Sequence, residues 1–143
     1  MEALAGLVAR LKMLNEELDP HFKTVQGLAD AARKYVEETL RNPDALIIVA
    51  TVNGEIAGMV RLEFLDRIFY EPRIKALVTD IYVKAVYRGR GVASLLLDKA
   101  REEARRRGAG ILTATYPRGN VVADRFYDKM GFKVLQVERY IPL

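Results

Sequence analysis

No cysteine occurs among the 143 residues, which excludes disulfides, thiolate metal sites and a cysteine nucleophile. A single histidine, His21, excludes any site built from several imidazoles. Long apolar runs are also missing. The opening stretch MEALAGLVARLKMLNEEL has no basic start before an apolar core, and Arg10 and Lys12 interrupt it, so it does not read as a signal peptide. No segment approaches the roughly 18 apolar residues that a membrane span needs. These absences predict a soluble, cytoplasmic protein with no membrane partner and no metal site.

Half of the residues are hydrophobic, and the charged residues are mixed in sign along most of the chain. That composition suits one globular domain over residues 1–143 with one core, and neither a disordered tail nor a second domain. The net charge of +4 favours an anionic partner, such as nucleic acid, a membrane surface or a polyphosphate.

Leu4, Leu7, Val8, Leu11, Leu14 and Leu18 recur at helical spacing and predict a helix over 3–18. A second helix, 28–41, is expected to bury Leu28, Ala32, Tyr35, Val36 and Leu40. It stops before Asn42-Pro43, because proline disfavours helix at the residue before it. The period then changes. ALIIVATV and EIAGMVRLEF flank Asn53-Gly54, which reads as a hairpin with a tight turn. IKALVTDIYV predicts a third strand over 74–83, antiparallel to the second. A helix opening near Gly91, a strand in GILTATY, a helix in NVVADRFYDKMG and a last strand in FKVLQVERYIPL complete the chain. The order ααβββαβαβ is that of a mixed, mostly antiparallel sheet flanked by helices.

The stretch YRGRGVAS, residues 87–94, joins the third strand to a helix. The first N–H groups of a helix have no partner inside it and point out of its positive end. Glycines there let an anion approach bare amides, and arginines add charge, so the turn reads as a phosphate cradle. Two common phosphate motifs do not fit. Ser94 stands where GxGxxG needs its third glycine, and no GK[ST] exists. What remains is Arg-x-x-Gly-x-Ala at Arg88, Gly91 and Ala93.

That pattern resembles the acyl-CoA-binding turn of the GCN5-related N-acetyltransferase family. TDIYVKAVYRGRGVASLLL looks like the family's central strand, pyrophosphate turn and helix. NVVADRFYDKMGFKV is similar to its second signature, with Asn120, Ala123, Phe126, Tyr127, Gly131 and Phe132 at the usual intervals. The likeness extends over about residues 45–138. It implies the family's acyl-CoA N-acyltransferase fold, although the chain opens in helix where many members begin with a strand.

The resemblance also implies an activity: transfer of an acetyl group from acetyl-CoA to a primary amine, by direct attack in a ternary complex and without a metal. By the same resemblance Ile81, Tyr82 and Val83 would pair with the pantetheine arm. Gly89, Arg90, Gly91, Val92, Ala93 and Ser94 would hold the pyrophosphate with Arg88 beside it, and Asn120 and Ala123 would touch the lower part of CoA. Tyr127 would protonate the leaving thiolate. Glu63 and Asp80, one on each of two neighbouring strands, are the candidates for the base that deprotonates the acceptor amine; the chain departs from the family at Thr79, where several members carry an acid. The acceptor would be a small-molecule or peptide amine, and homodimers are common in the family. A non-catalytic acyl-CoA sensor of the same fold is one alternative. A basic nucleic-acid-binding module is another, disfavoured because the aromatics lie at core spacing and form no exposed stacking platform.

Overall fold

The computed structural model describes residues 1–143. The first two helices, α1 (Glu2–Leu18) and α2 (Leu28–Arg41), are joined through a short 3-10 turn at Pro20–Phe22. Three strands follow, β1 (Ala45–Val52), β2 (Glu55–Asp66) and β3 (Ile74–Val83). Then come α3 (Val92–Arg106), β4 (Ile111–Ala114) and α4 (Val121–Lys129). The sheet order is β1-β2-β3-β4, antiparallel except for the parallel β3–β4 pair. This is the α/β sheet covered by helices that the sequence pattern predicts.

Period-2 alternation in the strands and 3.6-period stripes in the helices bury two apolar layers, one on each face of the sheet. On one face Leu7 and Val8 of α1 and Ala32 and Val36 of α2 close over Met59. On the other, Leu96, Leu97 and Ala100 of α3 and Tyr127 of α4 close over Val60, Leu62 and Val78. Leu97 has no exposed surface, so truncation to alanine there would cost about 2–5 kcal/mol.

The Asn53-Gly54 turn forms as its dipeptide dictates, with φ of 51° and 81°, the left-handed pair that a two-residue hairpin loop requires. In α2 the inward stripe is turned relative to the sequence expectation. Leu40 is 62% exposed, and Thr39 faces inward in its place, where its hydroxyl accepts a bond from Arg61.

The last strand expected over FKVLQVERYIPL does not form. Residues 132–143 run without regular secondary structure, because a strand needs a neighbour to satisfy its N–H and C=O groups and this segment pairs with none. The observed order is therefore ααβββαβα.

Two irregularities shape the middle of the sheet. Arg61 lies opposite Asp80 but the next residue, Leu62, lies opposite Val78, which leaves Thr79 as the extra residue of a bulge in β3. Bulges bend a strand and re-aim its side chains. Just before it, the pairing of β3 with β4 ends at Val78 opposite Ala114, with one stretched bond of 3.4 Å from the Thr115 N–H to the Val78 carbonyl. Ile81, Tyr82 and Val83 consequently have β2 on one side and no strand on the other.

Candidate active site

The open edge at Ile81–Val83 leads through a 3-10 turn, Ala85–Tyr87, into the glycine-rich connection to α3. Gly89 and Gly91 have φ of +77° and +79°, a left-handed backbone that side-chain-bearing residues adopt only at a cost. A Cβ built on either would meet no protein atom within 4 Å. Their conformation favours glycine; packing does not require it.

Gly91 is the N-cap of α3 and offers no side-chain cap. The first bond of the helix runs from the Leu95 N–H to the Gly91 carbonyl. The amides of Val92, Ala93 and Ser94 therefore point out of the helix end with no acceptor inside it. No acid stands in this first turn. Arg90 lies with its guanidinium 5.8 Å from the Tyr87 ring. Arg88 is committed differently: its Nε donates to the Val83 carbonyl at 3.0 Å and its guanidinium covers the Tyr82 ring. It thus ties the turn to the end of β3 and takes up one of the free-edge carbonyls.

Tyr127 is brought to the same place from α4. Its ring is 5% exposed and shares a buried cluster with Val83, Val78 and Leu96. Tyr116 stacks on it at 5.3 Å, and Phe126 and Phe132 meet it edge-on at 5.1 and 5.0 Å. Burial, with a smaller contribution from Tyr116, holds its phenol well above the usual tyrosine range, so it keeps its proton at neutral pH. Thr113 Oγ1 is the one sealed side-chain polar atom without a partner. The Tyr127 hydroxyl, which no side-chain or backbone group engages, is not sealed in.

Asn120 and Ala123 also meet, but each other: the Asn120 side chain accepts from the Ala123 N–H at 3.0 Å and caps α4. Asp124, in the first turn of α4, accepts from the Tyr116 hydroxyl at 2.6 Å. That bond, more than burial, pushes the Tyr116 phenol up to about 12.

The two carboxylates singled out from the sequence lie on the opposite face of the sheet, under α1 and α2, in unlike settings. The Asp80 side chain has no exposed surface. Lys12 Nζ donates to one oxygen at 2.5 Å, and the Tyr35 and Thr79 hydroxyls donate to the other at 2.5 and 2.8 Å. Burial first, and then the Asp80 charge, raise the Tyr35 phenol and keep it a donor. Glu63 is paired with Arg61 at 2.8 Å and its side chain is one-third exposed. It lies opposite Leu77, five residues along β3 from Tyr82 and so roughly 15 Å up the strand.

Lys12, Tyr35, Thr39 and Arg61, which join these carboxylates, were not among the residues that sequence reasoning selected. Arg61 is buried, bonded to Thr39 and Thr79, and stacked 4.4 Å from the Tyr35 ring. A buried cation on a β-strand is the one signal that could have pointed there, because it must have partners. Grooves beside α3–β4 and at Pro43–Phe64 are lined by none of these residues.

The sequence matches the acetyltransferase (GNAT) family over residues 11–132. The chain belongs to that family. An uncharacterized N-acetyltransferase of Methanocaldococcus jannaschii is 29% identical over an alignment of 131 positions that covers 87% of this chain and 58% of the relative. The chain thus spans a little over half the length of that relative. Among solved structures, the fold is shared with a ribosomal-protein-alanine N-acetyltransferase of Brucella melitensis (TM-score 0.68, 22% identity, covering 97% of this chain and 93% of that one). It is shared equally with an aminoglycoside N-acetyltransferase solved in complex with CoA (TM-score 0.73, 16% identity, 97% and 88% covered). No helix of this GNAT chain is long and apolar enough to cross a membrane.

Proposed function

We propose that this GNAT chain uses acetyl-CoA to acetylate a primary amine by direct attack. The observation that carries the proposal is the uncapped start of α3, set beside a strand edge that nothing pairs. The amides of Gly89 to Ser94 take the pyrophosphate, with Arg90 and the free N–H groups of Arg88 adding charge-assisted bonds. Ile81 offers the pantetheine arm the N–H and C=O of an added-strand pairing, whereas those of Tyr82 face Met59 on β2, in step with the Lys84 N–H that bonds to the Ala57 carbonyl. At Val83 the N–H serves, since its carbonyl is bonded to Arg88. Asn120 keeps its amide N–H groups for the lower part of CoA, while Ala123 presents its methyl group there.

As the amine nitrogen bonds to the acyl carbon and the carbon–sulfur bond breaks, Tyr127 hands its proton to the departing thiolate. Burial that raises this phenol raises an equally buried thiolate as well, so the two stay matched. A backbone N–H near Tyr82 or Val83 polarises the thioester carbonyl.

An amine with a pKa near 10 is about one part in a thousand neutral at pH 7, a deficit of about 4 kcal/mol. A carboxylate must therefore accept its proton. Asp80 stands two residues from Tyr82 and is the nearer of the two. Lys12, whose side chain is 37% exposed, is the movable partner that the incoming ammonium displaces. Glu63 is the outer alternative, reached through water.

Because Asp80 is fully occupied as it stands, a non-catalytic acyl-CoA sensor is the second reading. The acceptors named for the two structural neighbours differ, so the test is a panel: a peptide with free N-terminal alanine, an aminoglycoside, a polyamine and free lysine, each with acetyl-CoA and mass detection of product. One acetylated amine with stoichiometric release of CoA is the expected result. CoA binding with no acetylated amine selects the sensor, and no CoA binding removes both readings.

A further inference from the structure

Lys12 stands on the margin of a stripe that is otherwise apolar. α1 buries Leu7, Val8 and Leu11, and position 12 lies one turn beyond Val8 on the same side of the helix. Its ammonium donates to Asp80, 68 positions away in the sequence, at 2.5 Å. It also lies 5.9 Å from the centre of the Tyr35 ring. The other lysine in an ion pair, Lys99, meets the exposed Glu102 on its own helix. Lys12 is thus the one lysine held by a buried carboxylate, and that carboxylate is the candidate base.

The two partners are held unequally. The Asp80 side chain has no exposed surface, whereas that of Lys12 is 37% exposed. Asp80 keeps the Tyr35 and Thr79 hydroxyls on its other oxygen, so departure of the ammonium does not leave it without donors. The Lys12 side chain makes no hydrogen bond besides the one to Asp80. A four-carbon stem with one contact at its tip is free to swing. The sheet sets where it swings to. Asp80 and Tyr82 share the face covered by α1 and α2, about 7 Å apart along β3. Beyond Val78 the strand has no partner on its β4 side. An acyl group laid against that edge is open to both faces, to Tyr127 from one and to Lys12 from the other.

We infer that Lys12 is itself an acetyl acceptor, modified by its own chain from bound acetyl-CoA when no external amine fills the place beside Asp80. The inference rests on the acetyltransferase reading. A primary amine already sits on the candidate base, in the arrangement an external acceptor would need. The ammonium passes one proton to Asp80, which releases it to solvent. The nitrogen lone pair forms a bond to the acetyl carbon, and the carbon–sulfur bond breaks. Sulfur leaves as the thiol with the Tyr127 proton, and the second proton lost by nitrogen returns to Tyr127 through water. Acetyl-CoA and the lysine ammonium become CoA, an N-acetyl-lysine and one released proton. The new amide keeps an N–H for Asp80 and stays tethered to α1, so the reaction stops at one acetyl group per chain.

Incubation of the whole chain with acetyl-CoA alone, read by intact mass and peptide mapping, tests this. One acetyl group per chain is expected on Lys12. It should form more than about tenfold faster than on the exposed Lys23, Lys34 and Lys99, because transfer within a complex outruns transfer from solution. Dilution of the chain should leave the rate constant unchanged. Excess free CoA, which competes for the start of α3, should suppress the reaction. Lys12→Arg, which keeps the positive charge on Asp80, should abolish it. Acetyl groups spread over the exposed lysines, or indifferent to free CoA, come from thioester in solution and overturn the inference. A rate constant that rises with chain concentration means that one copy modifies another, and overturns it equally. An unmodified Lys12 in a chain that binds acetyl-CoA refutes self-acetylation; the acetyltransferase reading then stands or falls separately on the amine panel. A chain that does not bind CoA loses both.

Discussion

The two helices that border the cleft begin in opposite ways. α4 starts as isolated helices are taught to start: Asn120 bonds back to the Ala123 N–H, and Asp124 adds a negative charge to the first turn. α3 has a glycine at its cap position, no side-chain bond and no acid in its first turn. An asparagine or serine at position 91 would have satisfied one amide and filled the space in front of the others. A helix that starts on glycine gives up only about 0.3 kcal/mol of its own stability by leaving its amides bare, and an anion that takes them supplies the missing partner. In the proposed site the capped helix contributes a side chain, Tyr127, and the uncapped one contributes its backbone.

That contrast can be broken at either helix. The largest effect is expected on the α4 side, where Tyr127→Phe should lower the turnover rate by about 10²–10⁴-fold, about 3–5 kcal/mol of barrier, with CoA affinity unchanged. Stopped-flow turnover alongside calorimetric CoA titration separates the two quantities. In the proposed mechanism the protonated phenol is the active form, and burial moves its loss of a proton upward. The wild-type rate should therefore show no alkaline decline from this group until well above pH 10, the ordinary tyrosine value. A rate at wild-type level in the phenylalanine variant would reduce Tyr127 to packing.

On the α3 side, Gly91→Val should weaken CoA binding by about 100-fold or more. A Cβ at this position meets no protein atom within 4 Å, so the main cost to folding is the left-handed backbone, about 1–2 kcal/mol. Circular dichroism should show the helices intact while CoA titration shows the loss. Unchanged affinity would mean that the bare amides hold nothing.

How much of this could be read in advance follows the distance over which each feature is encoded. The Asn53-Gly54 hairpin and the Gly89–Gly91 turn are local: backbone preference at two residues decides them. The network around Asp80 is not. Lys12 and Tyr35 reach it across 68 and 45 residues, and only the docking of α1 and α2 on β3 brings them together. The same docking rotates α2 enough to turn Thr39 inward and Leu40 out. FKVLQVERYIPL shows the remaining limit. A strand pattern states that a segment will pair and is silent on the edge it pairs with, so β-propensity alone could not reveal that no edge within the chain receives it.

The smallest prediction bears on the capped helix alone. Asn120→Ala removes the bond to the Ala123 N–H and should cost about 1 kcal/mol of stability, a fall of about 3 °C in Tm for a chain of this size. The proposed CoA contact of Asn120 adds a second readout, because its amide N–H groups remain free while its oxygen caps the helix. Asn120→Asp separates them. The carboxylate keeps the acceptor that the cap needs and improves the charge at the helix start, so Tm should hold or rise. It also removes the N–H donors and places a negative charge near an anionic cofactor, so CoA affinity should drop several-fold. If aspartate costs neither stability nor affinity, Asn120 is a cap and nothing more, and binding of CoA rests on α3 and the edge of β3.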